Sequence, residues 1–294
     1  MFIIRAIVRV FRWLISRFTI AWRDIDRETE GGAEARRPWL VLYIFVIVTA
    51  SLVIQEYWGN EATFSVIVRF LDDPTLPVRF PLLSAFAGFL SDGDISVRSH
   101  IIASDTYELW VLCYWAAWRV IGFLILPLLA VLVHPGLRKR SLGLSFKGIT
   151  KHLWIYAVLF VPVFIAVFIV SFQEEFQTYY PFYTKAGRSF VEFAIWESFY
   201  FAQFLSLEFF FRGFMIQPLK REMGSSVIFA MMIPYVMIHI GKPMIECFGA
   251  IFAGIVLGTL ALRTRSIWCG FLIHVSIALS MDLLSLWQTG RLGW

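Results

Sequence analysis

A small set of ionisable residues falls inside the long apolar stretches of this sequence. The set is Arg119, Glu192, Glu197, Glu208, Arg212, His239, His274 and Asp282. Ionisable groups in apolar membrane segments are costly, so they indicate either a function or an obligatory pair. A carboxylate and two imidazoles on three separate segments are typical of an acid–base site, because a neutral imidazole can accept or donate a proton.

Glu208 and Arg212 have the spacing of a helical ion pair, with the glutamate first. Glu197 precedes Glu208 by about three helical turns and is predicted to lie on nearly the same face. Two readings stay open for this segment. The pair could neutralise two charges in lipid, or Glu208 could serve as the carboxylate of a catalytic site.

The motifs leave the question of a metal open. No HExxH motif and no GxSxG motif occurs in the chain, so neither a zincin helix nor a serine hydrolase is predicted. Glu208, His239 and His274 could still bind a divalent metal such as zinc from three helices. They could equally form a metal-free site in which a carboxylate activates water and the histidines stabilise an oxyanion.

The composition places these residues in a membrane protein. Of the 294 residues, 59 % are apolar and 16 % are charged, and the mean hydropathy is +0.72. An ordinary soluble domain is about 45–50 % apolar and about 25 % charged. A soluble enzyme, a nucleic-acid binder and a disordered scaffold are therefore excluded, and membrane lipids are the expected surroundings. Cys113, Cys247 and Cys269 lie in apolar stretches at irregular spacing, which indicates packing rather than disulfides.

Seven apolar stretches predict an all-α bundle of about seven membrane-spanning helices. They cover approximately residues 39–58, 108–134, 152–172, 189–217, 226–240, 247–262 and 266–287. The fifth and sixth are short and separated by Gly241-Lys242-Pro243, which indicates tilted, buried or re-entrant segments. The predicted inner segments contain 17 lysines and arginines and the outer segments 7, which predicts a cytoplasmic N-terminus.

The N-terminal region predicts a helix that lies on the membrane. In residues 1–23 one polar stripe recurs at helical spacing, and apolar residues surround it, a pattern typical of an interfacial helix on an anionic leaflet. An uninterrupted apolar core with a small-residue cleavage site, as in a signal peptide, is not found there. Residues 24–38 are predicted to form a polar linker, so that residues 1–38 make up the first unit.

Two further units follow. Residues 39–188 contain the N-terminal spans and an outer segment at 59–107, whose apolar stretch RFPLLSAFAGFL predicts an amphipathic cap. Residues 189–294 contain every member of the ionisable set except Arg119.

Three segments of this last unit resemble the motifs of the CAAX prenyl protease and Abi (CPBP) family of intramembrane endopeptidases. The segment LEFFFRGF at 207–214 is similar to the first motif, EExxxR followed by Gly-Phe. Tyr235 stands four residues before His239, as an aromatic residue does in the second motif. The segment FLIHVSIA at 271–278 occupies the place of the third motif, HxxxN. Order and spacing agree over residues 190–290.

The resemblance implies an integral-membrane endopeptidase, with no cofactor, that cleaves a membrane-associated protein or peptide by glutamate- and histidine-activated water. It implies catalytic roles for His239 and His274. If the chain is active, Glu208 is the preferred catalytic carboxylate, and Arg212, Glu197, Tyr235 and Glu246 are expected to support the site. It also favours the bacterial cytoplasmic membrane as the location.

Two positions depart from the family pattern. The first glutamate of the first motif, to which the resemblance assigns water activation, is Leu207 here, and the asparagine of the third motif is Ala278. One hypothesis is a divergent subfamily whose base is Glu208, or else Glu197 or Glu246. The other is an inactive relative of the same fold, in which Glu208 only pairs with Arg212 and the groove binds a transmembrane or lipidated partner.

Overall fold

The computed structural model describes residues 2–30, 37–71, 101–102, 104–146 and 149–294 of the chain. It is 82 % helical, and no strand occurs in these described ranges. In chain order the helices are α1 (Phe2–Glu30), α2 (Pro38–Trp58), α3 (Glu61–Leu71), α4 (Tyr107–Val133), α5 (Pro135–Arg138), α6 (Ile149–Val170), α7 (Glu174–Tyr179), α8 (the consecutive segments Phe190–Glu208, Phe209–Ile216 and Gln217–Met223), α9 (Ser226–Met237), α10 (Met244–Thr264) and α11 (Trp268–Gln288). The predicted apolar cap at 79–90 lies outside the described residues.

The helices confirm the prediction of an all-α, multi-pass membrane protein. Five of those in the described ranges are long and apolar enough to cross a membrane, namely α2, α4, α6, α10 and α11. Only 11 % of the apolar window of α6 is buried inside the protein, so the remaining surface suits hydrocarbon. The other two predicted spans correspond to α8, which carries several charges, and to α9, whose 12 residues reach about 18 Å.

The centre of the bundle is the middle segment of α8. Phe209–Ile216 has π-helical hydrogen bonding, and all eight of its residues are buried. A π-helical turn of this kind widens the helix locally and is common at functional sites. Gly213 lets the backbone at Leu142 approach this segment closely, because a Cβ atom at residue 213 would lie 2.7 Å from the backbone oxygen of Leu142.

The predicted linker at 24–38 is wrong in its first part. The first helix continues to Glu30, and its last two turns dock on the ends of α8 and α10. The acidic side chains of this stretch explain the extension. Asp24 contacts Arg263 of α10 at 2.8 Å, and Asp26 accepts hydrogen bonds from the backbone N–H and the hydroxyl of Ser225, in the turn between α8 and α9. A polar sequence therefore forms a docked helix here.

Candidate functional site

The candidate site lies where the α-helical and π-helical segments of α8 meet, facing α11 and the end of α9. Glu208 is the last residue of the α-helical segment, and Arg212 belongs to the π-helical one. Tyr235 lies in α9, His239 follows α9 in a turn, and His274 lies in α11. We call these five residues the histidine site.

Glu208 is the buried anchor of the histidine site. Its side chain is 1 % exposed, and its Oε1 lies 2.8 Å from Nδ1 of His274 and 3.3 Å from Nη1 of Arg212. Arg212 is fully buried, so each charge offsets the other in surroundings that solvate neither. The carboxylate fits because residue 270 is glycine: a Cβ atom there would lie 2.4 Å from Oε2 of Glu208.

Tyr235 connects the two histidines. Its hydroxyl lies 3.0 Å from Nε2 of His274, and its ring centroid is 4.8 Å from the His239 ring. The guanidinium carbon of Arg212 lies 4.1 Å from the centre of the Tyr235 ring, a cation–π contact. Carboxylate, imidazole and hydroxyl thus form one chain of contacts from Glu208 through His274 to Tyr235.

The tautomer of His239 follows from its partner. Its Nδ1 lies 2.7 Å from the backbone oxygen of Tyr235, and a carbonyl oxygen only accepts hydrogen bonds. In the neutral ring Nδ1 therefore carries the proton, and Nε2 keeps a free lone pair. His239 and His274 are both partly exposed, whereas Glu208 is enclosed. Only the imidazoles of the histidine site can therefore reach a water molecule directly.

At the two positions that depart from the family pattern, the side chains are apolar and packed in the core. Leu207 is 4 % exposed and belongs to the core around the π-helical segment of α8. Ala278 is 5 % exposed and packs among Trp196, Tyr200 and their neighbours. Neither position offers a polar group to the histidine site.

Glu197 lies apart from the histidine site. It is 5 % exposed, and its carboxyl group contacts that of Asp282, which is completely buried. Asp282 accepts hydrogen bonds from Nε1 of Trp196 and from the backbone N–H of Phe182, both at 3.2 Å. We call Glu197 and Asp282 the carboxyl pair. Its contacts join α8, α11 and the segment after α7, so Glu197 has a partner of its own.

Glu246 is also engaged elsewhere. Lys242 donates to its Oε1 at 2.5 Å, and the hydroxyl of Tyr180 donates to its Oε2 at 2.8 Å. With both oxygens occupied, Glu246 is poorly placed to act as a base. In the described parts of the chain, no group of three or more His, Cys, Asp and Glu side chains is arranged to hold a metal ion.

Two residues of the site were not singled out from the sequence. Phe204 stacks on the His274 ring with centroids 5.6 Å apart and ring planes at 11°, and Gly270 makes room for Glu208. Each stands four residues, or about one helical turn, before a site residue: Phe204 before Glu208 and Gly270 before His274. That spacing could have indicated them from the sequence, but the apolar spans contain many phenylalanines and glycines, so spacing alone does not single these two out.

Comparison with known proteins supports the resemblance in this region. The family described as type II CAAX prenyl endopeptidase Rce1-like matches residues 189–280, and all five residues of the histidine site lie within the match. The match confirms the resemblance to CAAX-protease-type membrane proteins that the three motifs indicated. No curated protein and no solved structure matches the chain.

Proposed function

We propose that this protein is an intramembrane endopeptidase that hydrolyses a peptide bond of a membrane-associated peptide or protein. The observation that carries the proposal is the chain of contacts from Glu208 through His274 to Tyr235, within the segment that matches the family. A carboxylate that orients an imidazole is a recurring arrangement in hydrolytic sites.

The burial of the individual groups decides their roles. Glu208 is enclosed and held by Arg212, so it acts as the charge partner of His274 rather than as the base. His239 is partly exposed and its Nε2 has a free lone pair, so it takes the role of general base. Tyr235 is a positioning residue, because its backbone oxygen fixes His239 and its hydroxyl fixes His274.

The reaction then proceeds by addition and elimination. Nε2 of His239 takes a proton from water as the water oxygen bonds to the carbonyl carbon of the scissile peptide. His274, which Glu208 and Tyr235 hold in place, stabilises the negative charge that develops on the carbonyl oxygen. The proton on His239 passes to the leaving nitrogen as the carbon–nitrogen bond breaks, which restores the neutral imidazole.

The substrate class and the location complete the proposal. The name of the matching family points to peptides that end in a prenylated cysteine followed by three residues. The excess of lysine and arginine in alternate segments supports a cytoplasmic N-terminus, and we place the protein in a bacterial cytoplasmic membrane.

The test is cleavage of a farnesylated CAAX peptide by the purified full chain in lipid nanodiscs. We expect His239→Ala and His274→Ala to lower kcat by about 10²- to 10⁴-fold, the usual contribution of acid–base groups. His134→Ala is the matched control, because His134 contacts Tyr43 at the far end of α4. Full turnover by folded His239→Ala protein would contradict the role of His239.

A second candidate function is a non-catalytic membrane protein that binds a transmembrane or lipidated partner. The packed apolar side chains of Leu207 and Ala278 favour it, because they leave the site without two expected polar groups. This alternative predicts that the wild-type protein retains the farnesylated peptide without cleaving it. It also predicts that His239→Ala leaves the affinity for the peptide unchanged.

A further inference from the structure

A charged cavity lies far from the histidine site, between the end of α1 and the ends of α8 and α10. Its volume is about 510 Å³. The charged side chains that line it are Asp24, Arg27, Glu28, Lys220, Arg263 and Arg265. Four cations and two anions give the lining a formal charge of +2.

The internal ion pairs leave two cations in excess. Asp24 pairs with Arg263 at 2.8 Å, and Glu28 pairs with Lys220 at 2.6 Å. Arg265 reaches Glu28 only at 4.0 Å, and Lys220 already offsets that carboxylate. Within the described ranges Arg27 forms no ion pair. Arg27 and Arg265 are both exposed, so their guanidinium groups are available to an anion.

The backbone at Arg265 supports a role for its side chain. Arg265 ends α10 with φ of +55°, the left-handed conformation in which helix ends usually carry glycine. A glycine would adopt this conformation without strain but would remove a cation from the cavity.

The position of the cavity identifies the source of the anion. It lies at the end of α10, a helix long and apolar enough to cross the membrane, and therefore at the level where lipid headgroups begin. The preceding part of α1 exposes Trp13, Ile15 and Ile20, which suit the boundary between headgroups and acyl chains. Guanidinium groups bind phosphate oxygens through charge-assisted hydrogen bonds.

We propose that this cavity binds the phosphate group of an anionic phospholipid, with Arg27 and Arg265 as the phosphate ligands. The bound headgroup would join α1 to α10 and so hold the docked end of α1 at the membrane surface. The proposal is independent of whether the histidine site is catalytic.

Native mass spectrometry of the purified full chain tests the proposal, with phosphatidylglycerol and phosphatidylcholine added to detergent micelles in separate samples. We expect the wild type to retain phosphatidylglycerol at least fivefold better than the double variant Arg27→Gln/Arg265→Gln, and both proteins to retain phosphatidylcholine equally. Arg23→Gln is the matched control, because Arg23 is an exposed arginine one turn earlier on α1 and does not line the cavity. Equal loss in Arg23→Gln would overturn the proposal, since the effect would then be that of any arginine on the helix.

Two further measurements complete the test. One asks whether removing an anion from the cavity strengthens binding, and the other distinguishes the lipid from free phosphate. Glu28→Gln removes an anion from the lining, so we expect it to increase the retention of phosphatidylglycerol. Inorganic phosphate is added to the micelles as a competitor, at the same concentration as the phosphatidylglycerol. Displacement of the lipid by phosphate at this concentration, or binding of phosphate without retention of the lipid, would overturn the lipid as the ligand.

Discussion

The interface between α8 and α11 contains two buried carboxyl sites with opposite electrostatics. In the histidine site, Glu208 faces a guanidinium and an imidazole. In the carboxyl pair, Asp282 faces a second carboxyl group and two N–H donors. His274 and Asp282 are two turns apart on one face of α11, so the same helix contributes to both.

The difference shows what each site can do. A buried carboxylate beside a guanidinium has a partner that offsets its charge, and it can then hold and orient a histidine. Two carboxyl groups in contact without a cation are stable together only when they share a proton. The histidine site therefore contains groups that can take part in acid–base chemistry, whereas the carboxyl pair connects two helices to the segment after α7. Between them lie the rings of Trp196, Tyr200 and Phe204: the first two stack with centroids 4.8 Å apart, and the last two are tilted with centroids 4.5 Å apart.

Removing the cation from the histidine site should have the largest effect. Arg212→Met leaves Glu208 as a buried charge with only His274 beside it, and loss of one partner of a buried pair costs about 3–5 kcal/mol. We expect a large drop in the midpoint of thermal unfolding in detergent. Arg188→Met is the control, because its pair with Glu192 is partly exposed and should contribute about 1 kcal/mol or less. Equal losses in the two variants would contradict the contrast between buried and exposed pairs.

The space around Glu208 provides the next test. Gly270→Ala places a methyl group 2.4 Å from Oε2 of Glu208, so the carboxylate must move away from His274. Overpacking of this kind costs about 1–3 kcal/mol. We expect lower thermal stability together with a lower kcat on the farnesylated peptide.

Gly249→Ala is the matched control for this variant, because a Cβ atom there would meet no atom within 4 Å. Both glycines lie in helices that could cross the membrane, so the helix propensity gained on substitution is comparable. Unchanged stability and kcat in Gly270→Ala would show that Glu208 is less tightly held than the structure has it.

The sequence predicted the members of the histidine site better than their roles. Three motifs in order identified Glu208, His239 and His274, and helical spacing identified Arg212, because such patterns depend only on local geometry. Which groups are enclosed depends on contacts between helices distant in sequence, so the burial of Glu208 was not predictable. The partner of Glu197 was missed for the same reason, since Asp282 lies 85 residues further along the chain.

The fold shows the same limit. Apolar length predicted the spans of α2, α4, α6, α10 and α11, because hydropathy acts along one helix at a time. The sequence at the docked end of α1 predicts a linker, because its acidic side chains stabilise a packed helix only when they pair with Lys220 and Arg263.

The stability of the protein should depend more strongly on Asp282 than on Glu197, the other member of the carboxyl pair. Asp282→Ala leaves the N–H groups of Trp196 and Phe182 without their acceptor, which costs about 1–3 kcal/mol in a buried site. Glu197→Gln replaces the second carboxyl group by a neutral amide that can donate to Asp282, so we expect a change within about 1 kcal/mol. Thermal unfolding of both variants measures the contrast, and cleavage of the farnesylated peptide should persist in Glu197→Gln. Loss of cleavage there would assign the carboxyl pair to the catalytic site.

The exposed pair of Glu28 and Lys220 should give the smallest effect, together with a simple pH dependence. Lys220 donates to Glu28 at 2.6 Å and holds the pKa of that carboxyl below its ordinary value of 4.5. The pair therefore stabilises the docked end of α1 fully above about pH 4.5, and this contribution is lost as the pH falls through the lowered pKa. Since the Glu28 side chain is 54 % exposed, the effect should be within about 1 kcal/mol.

Amide hydrogen exchange at residues 24–30 measures this effect, with rates corrected for the intrinsic pH dependence of exchange. We expect protection to decrease between pH 5 and pH 3 in the wild type, a range chosen to bracket the ordinary carboxyl pKa. In Glu28→Gln the decrease should be smaller, because the amide does not titrate. A decrease in Glu28→Gln as large as that of the wild type would contradict the role of Glu28 in the acid response of α1.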